Sequence, residues 1–296
     1  MCARVINGLS VDVEEWFQVG AFEKVIARAE WDGLDSRVER NVQAILAMFA
    51  AADVKATFFT LGWVAQRHPA LVRQIADAGH EVASHGWDHQ RVFTMEPGTF
   101  AKDLARARDA LEQASGQAVT GYRAPSFSID ARNPWAHRVL AEAGYAYSSS
   151  VAPIVHDHYG WREAPRFAFR PLEDSALLEI PVTTAELAGR RMAAGGGGFF
   201  RLLPYAVSTC AIRQVNAAGR PAAFYFHPWE IDPGQPRRVD APWRSRFRHY
   251  TNLSVMAPKL ERLVREFAWG RMDQVAAREA LRADGAVASA PVAAAA

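Results

Sequence analysis

Short, unbroken apolar runs recur along the chain, and several follow an amphipathic segment that stops at an Ala-Gly signal, at 77–79, 142–144 and 217–219. Glycine takes up the left-handed backbone that ends a helix, so each signal separates a helix from the run behind it. A strand buried on both faces reads as a continuous apolar run, whereas a half-exposed one alternates. Seven such runs, at 5–12, 55–61, 80–84, 119–123, 145–149, 177–182 and 222–227, predict seven strands separated by helices. The segment from Ser36 opens with a Ser-x-x-Glu capping box and carries Val38, Val42, Ile45, Leu46 and Phe49 on one face, which predicts a core-facing helix. The fold class that follows is α/β with a parallel sheet, whose ligands gather beyond the carboxyl ends of the strands.

The residues with chemistry lie at those ends. Ser-His-Gly-Trp-Asp-His-Gln at 84–90 sets His85 and His89 four apart, while Asp12 and Glu14 stand at the end of the first run. Two imidazoles and a carboxylate make a metal site of the catalytic kind, with one coordination position left for water. Among nine histidines a pair four apart is a weak signal alone, because satisfied polar histidines are common. Convergence gives it weight: Asp12, His85, Arg123 and His227 each end or follow a predicted strand and so meet at one mouth.

A chain of 296 residues that is 50% hydrophobic can build one large core. Its net charge of +2, with basic and acidic residues interspersed, offers no basic stripe for nucleic acid or an anionic membrane. The first residues reach Asp12 without a long apolar run, so neither a signal peptide nor a transmembrane helix is expected. The expected location is cytoplasmic, free or peripheral at the inner membrane. Cys2 and Cys210 stand outside any Cys-x-x-Cys pattern, which fits a reducing compartment without disulfides.

Four stretches resemble the motifs of the polysaccharide deacetylases with a NodB-type catalytic domain: Ser-Val-Asp-Val-Glu at 10–14, Ser-His-Gly-Trp-Asp-His at 84–89, Arg-Ala-Pro-Ser-Phe at 123–127 and Tyr-Phe-His-Pro-Trp-Glu at 225–230. Three more, Tyr-Ser-Ser-Ser-Val-Ala-Pro from 147, Gly-Gly-Gly-Gly-Phe-Phe-Arg from 195 and Phe-Arg-His-Tyr-Thr-Asn-Leu from 247, resemble a branch associated with exosortase (PEP-CTERM) exopolysaccharide loci. The resemblance implies a distorted (β/α)7 barrel that removes N-acetyl groups from amino sugars of an exopolysaccharide or a lipid-linked precursor. It implies a catalytic domain at 1–235 with an insertion at about 151–205 and an extension at 236–272 packed on the barrel; composition adds an Ala-rich tail at 273–296, expected to be disordered or a frayed helix.

The resemblance also implies roles. His85, His89 and a carboxylate would hold a divalent metal, zinc first and cobalt next, with Asp12 as base and His227 as acid. Common relatives carry Asp-Asp in the first motif, whereas Val13 stands in the second place here. A residue two along a strand points the same way as Asp12, so either carboxylate could be the ligand, and Glu14 is favoured as the substitute. Arg123 pairs in the family with an acid that orients the base, but Ser148 occupies the place where that acid is sought, and Asp130 is another candidate. Trp16, Trp87, Pro125, Phe127 and Trp229 lie in or beside the motifs and are expected to contact sugar.

His80 is expected to be structural. The 195–198 glycine run leads into no phosphate-binding Lys-Ser or Lys-Thr and reads as a flexible rim loop. His156, His158, Arg248, His249 and Tyr250 form either a secondary substrate surface or solvated loops. Two other functions remain open, an amidohydrolase acting on small cyclic amides or ureides and a non-catalytic carbohydrate-binding protein on the same barrel.

Overall fold

The computed structural model describes residues 5–155, 159–187 and 189–288. Its strands are β1 (Ile6–Val13), β2 (Thr57–Thr60), β3 (Glu81–Ser84), β4 (Gly121–Tyr122), β5 (Tyr147–Ser148), β6 (Leu178–Glu179), β7 (Thr184–Leu187), β8 (Arg190–Ala193), β9 (Ala223–Phe226) and β10 (Ala268–Gly270). The α-helices are α1 (Val38–Ala51), α2 (Gly62–Arg67), α3 (Pro69–Asp77), α4 (Pro97–Ser115), α5 (Ala136–Glu142), α6 (Gly197–Leu202), α7 (Tyr205–Ala217), α8 (Trp243–Tyr250), α9 (Leu253–Glu266) and α10 (Met272–Ala288).

Strands β1 to β6 pair in sequence order, and β9 pairs with the opposite edge of β1, all in parallel. These are the seven strands read from the sequence. Between β6 and β9 no ladder forms. The gap is bridged by Thr183 N–H donating to the Ala223 carbonyl at 3.3 Å and Tyr225 N–H donating to the Gly195 carbonyl at 2.7 Å. The result is the distorted (β/α)7 barrel. Residues 195–197 of the glycine run are therefore a packed seam rather than a flexible rim. A Cβ on Gly195 would meet the Ala223 carbonyl, one on Gly196 the Tyr225 ring, and one on Gly197 the Glu230 carboxylate.

Alternation along the strands sorts the core. Leu9, Val11 and Val13 of β1 join the large apolar cluster shared with the helices, while Ser10 and Asp12 meet the guanidinium of Arg123. Phe59, Ala83, Tyr147, Leu178 and Ala223 form a second cluster, completed by Met272, Val275 and Ala276 of α10. The tail beginning at 273 was expected to offer nothing to pack, but its first turns are a helix docked on the barrel. Met272 sits so close to Gly8 that a Cβ there would strike its sulfur, while the Met272 and Asp273 amides donate to Thr57 Oγ1 at 2.7 Å and Glu81 Oε2 at 3.1 Å. Small alanines suit this close docking, and composition alone hides it.

The extension is likewise more than a cover. Its β10 pairs with the start of β1, Ile6 opposite Ala268. Helix α1 starts at Val38, without the expected Ser36–Glu39 box. Glu15, just past β1, receives the Arg37 amide at 2.9 Å, the Val38 amide at 3.3 Å and the Ser36 hydroxyl, so the cap comes from across the chain. Glu39 instead faces His68 at 3.2 Å.

Candidate active site

A cavity of about 460 Å³ opens at the carboxyl end of the barrel, and Asp12, Glu14, His85, His89, Phe127, Tyr225, His227 and Trp229 are among its lining residues. Ligand atoms of Glu14, His85 and His89 lie within 4.8 Å of one another. His85 follows β3 and donates Nδ1–H to the Arg123 carbonyl at 2.8 Å, which leaves Nε2 as the free ring nitrogen. His89 has a positive φ of 62°, the turn that brings its imidazole back beside His85, ring centres 5.5 Å apart.

Glu14 Oε1 accepts the Trp229 indole N–H at 3.1 Å, while Oε2 is buried without a hydrogen bond and faces His89 Nε2 at 2.9 Å. A buried carboxylate oxygen and two imidazole nitrogens converging without other partners are the donor set of a divalent cation site. Burial pushes the Glu14 carboxyl up, but the imidazoles of His89 and His227 outweigh it and hold it at about 2. Burial pushes His85 down to about 4, which keeps it neutral and able to ligate.

Asp12 is fixed by Arg123, whose Nη1 donates to its Oδ1 at 2.6 Å. The other donors of Arg123 go to the Ser149 carbonyl at 3.0 Å, Ser149 Oγ at 2.9 Å and Ser10 Oγ at 2.7 Å. The acid sought near Ser148 is thus replaced by neutral oxygens, and Ser148 itself donates to Ser150. Asp130 is no substitute. It is buried, but it pairs with Arg132 at 2.5 Å.

His227 follows β9 and donates Nδ1–H to Glu230 Oε1 at 2.9 Å; its Nε2 stands 3.7 Å from Glu14 Oε1. Burial would lower its pKa, but Glu14 and Glu230 lift it to about 9. Glu230 is held in turn by Arg201 at 2.7 Å, both buried, and Arg201 also donates to the carbonyls of Arg248, His249 and Thr251. Sequence reasoning gave Glu230 no role of its own and did not place Arg201 behind it. The signal was present in the last motif and in the arginine that closes the glycine run.

Of the five expected sugar contacts, Phe127 and Trp229 line the cavity and three do not. Trp16 is buried, donating its indole N–H to the Asp35 carbonyl at 2.9 Å and packing edge-on against Phe17 and Phe22. Trp87 is turned outward between Gly62 of α2 and the guanidinium of Arg106, 3.4 Å from its ring centre. Pro125 is buried beside Gly86. These residues sit on turns and 3-10 segments beyond the strand ends, where strand alternation does not set direction, so adjacency to a ligand in sequence does not place a ring in the groove.

His80 accepts the Ala56 amide through Nδ1 at 3.1 Å, and burial lowers it to about 4. His249 is not a surface residue. It stacks on Trp229 at 4.1 Å and donates Nε2–H to Gln235 Oε1 at 2.6 Å. Arg248 lines the cavity, while His156 and His158 lie outside the described residues.

Residues 31–148 match the family model described as polysaccharide deacetylase, and 149–277 match one described as a domain of unknown function, DUF3473. The chain is 32% identical over 151 residues to an uncharacterised 30.6 kDa protein of Geobacillus stearothermophilus, covering 49% of this chain and 55% of that one. It is 28% identical to a chitooligosaccharide deacetylase of Bradyrhizobium, covering 46% and 56%. A peptidoglycan deacetylase of Helicobacter pylori is 26% identical, covering 38% of each. The chain thus spans about half or less of the length of these curated relatives. Among solved structures, one from Mycobacterium smegmatis assigned to the polysaccharide deacetylases superposes with a TM-score of 0.61 at 21% identity, covering 96% of this chain and 94% of that one. An allantoinase gives 0.60 at 17% identity, covering 95% and 91%. These two likenesses show the fold.

Proposed function

Because residues 31–148 match the polysaccharide deacetylase family model, we propose that this chain is a metal-dependent hydrolase that removes N-acetyl groups from amino sugars of an exopolysaccharide or its lipid-linked precursor. The observation that carries the reading is the cluster of Glu14, His85 and His89, with the Asp12–Arg123 pair and the His227–Glu230 pair lining the same cavity or bonded to its walls.

A divalent cation held by Glu14, His85 and His89, zinc foremost and cobalt as a substitute, supplies Lewis acidity toward the amide carbonyl and the attacking water. Asp12 keeps one oxygen on Arg123 and offers the other to take a proton from that water. Glu14 and Glu230 hold His227 in its protonated form, so that with Nδ1–H engaged by Glu230 it is the Nε2 proton that passes to the departing nitrogen. Attack forms the carbon–oxygen bond, and cleavage of the carbon–nitrogen bond leaves acetate and a free amine. Phe127 and Trp229 offer aromatic faces to a sugar ring.

The test is acetate release from N-acetylglucosamine oligomers by metal-stripped protein reloaded with zinc, cobalt or nothing. Release is expected only with metal, to be lost in His85→Ala together with metal binding, and to be lost in Asp12→Asn with metal retained. Opening of a cyclic ureide without any acetate release would replace the deacetylase by a ureide hydrolase, and failure to bind metal would remove both.

A further inference from the structure

Val239, Trp243 and Phe247 project from α8 and the turn before it, 76%, 70% and 56% exposed. They surround one shallow depression of about 390 Å³ whose wall also holds Arg237 and Arg246. Trp243 and Phe247 are four residues apart and share a face of α8, while His249 is stacked beneath Trp229 and keeps the helix from rolling to hide them. A contiguous group of large apolar side chains on an otherwise polar surface marks an interaction site.

The cations around this group are uncompensated. Arg237 lies over the Tyr250 ring at 5.0 Å, Arg244 over Trp243 at 5.4 Å, and Arg246 donates to the Val239 carbonyl at 3.3 Å. Among the described residues none of these three meets a carboxylate, whereas Arg238 is neutralised by Asp240 at 2.7 Å. The chain's net charge of +2 conceals this local excess. Apolar tips interleaved with free guanidinium groups match the boundary between lipid headgroups and acyl chains.

We propose that this surface docks the protein on an anionic phospholipid bilayer, with Val239, Trp243 and Phe247 entering the headgroup boundary and Arg237, Arg244 and Arg246 pairing with lipid phosphates. No helix among the described residues is long and apolar enough to cross a membrane, so the attachment is of the peripheral kind. Pro242, Arg244 and Ser245 also line the large cavity, so docking brings its mouth to the lipid surface. The docking stands apart from the deacetylase reading; the two together bring a lipid-borne glycan to the metal cluster.

The test is flotation of the full chain with phosphatidylcholine vesicles that contain or lack phosphatidylglycerol. Binding is expected only to the anionic vesicles and is weakened by salt. It falls more than about tenfold in a Trp243→Ser/Phe247→Ser double variant and roughly fivefold for each of Arg237→Glu and Arg246→Glu. Circular dichroism of each variant should match the parent. Absence of binding to anionic vesicles, or a double variant that floats like the parent, overturns the proposal. So does loss of affinity for soluble N-acetylglucosamine oligomers in the double variant with vesicle binding intact, which would make the patch a glycan platform. Vesicle binding is read without acetate release, so failure of the catalytic reading leaves this one measurable.

Discussion

Arg123 shares Nη1 between Asp12 and the Ser10 hydroxyl and spends its other two nitrogens on the carbonyl and hydroxyl of Ser149, so Asp12 is the only carboxylate its charge meets among the described residues. His227 stands in the opposite arrangement, between Glu14 and Glu230, and both hold it protonated well above neutrality. Glu230→Gln keeps the shape but removes the charge that orients Nδ1–H, and general acid catalysis contributes roughly 10²- to 10⁴-fold. The expected outcome is a kcat lowered tenfold or more with KM little changed. The alkaline fall of the pH profile should also move to lower pH, because an imidazole that loses an anionic partner releases its proton more readily. Unchanged kcat and pH profile would show that Glu230 only supports the fold. Asp12, Glu14, His85, His89, Arg123 and His227 were legible because strand ends give a side chain a direction. Glu230 lies three residues beyond His227 and acquires its role only through a turn that folds its carboxylate back.

At the level of elements, the first strand and the first helix are joined by a carboxylate rather than by local capping. Glu15 satisfies the Arg37 and Val38 amides, groups that a helix start otherwise leaves orphaned. Losing a cap of this kind costs about 0.5–2 kcal/mol. Glu15→Ala should therefore lower the unfolding free energy in urea by about 1–2 kcal/mol. It should also loosen Asp12 and Glu14 on the same strand end. Ser36→Ala alone should do less, and an equal loss would restore the local capping box as the device. The seven barrel strands and the helices that end at the Ala-Gly signals were readable from run length and punctuation. Strand β10 was not, since its partner β1 lies far away in sequence, and neither was the local hairpin β7–β8.

For the whole molecule, the end of the barrel opposite the cavity is closed by α10 through Glu81. Its carboxylate accepts from the Tyr147 hydroxyl at 2.9 Å, the Asp273 amide at 3.1 Å and the Thr57 hydroxyl. Burial, and then the nearby Asp273 charge, raise it from 4.5 to about 7. A carboxyl raised on folding favours the native state fully while it is protonated, below its unfolded value of 4.5, and this contribution is lost as pH rises through about 7. Stability to urea should therefore fall between about pH 4.5 and 7, and Glu81→Gln should flatten that slope. A slope unchanged in the variant would assign it to other groups.

The sequence by itself determined the alternation of strand and helix, a parallel sheet and the residues that reach its carboxyl end, while the barrel was implied by the resemblance of its motifs. Period, punctuation and strand polarity are local properties that survive in one dimension. Only the tertiary structure decided which neighbours of a motif face the cavity, as the outward turn of Trp87 and the inward one of Phe127 show. It also decided that Arg201 supports Glu230 across 29 residues, and that Arg237, Arg244 and Arg246 gather around Trp243 and Phe247. Those arrangements depend on long-range packing, where a carboxylate or an aromatic ring is positioned by partners that its own stretch of chain does not contain.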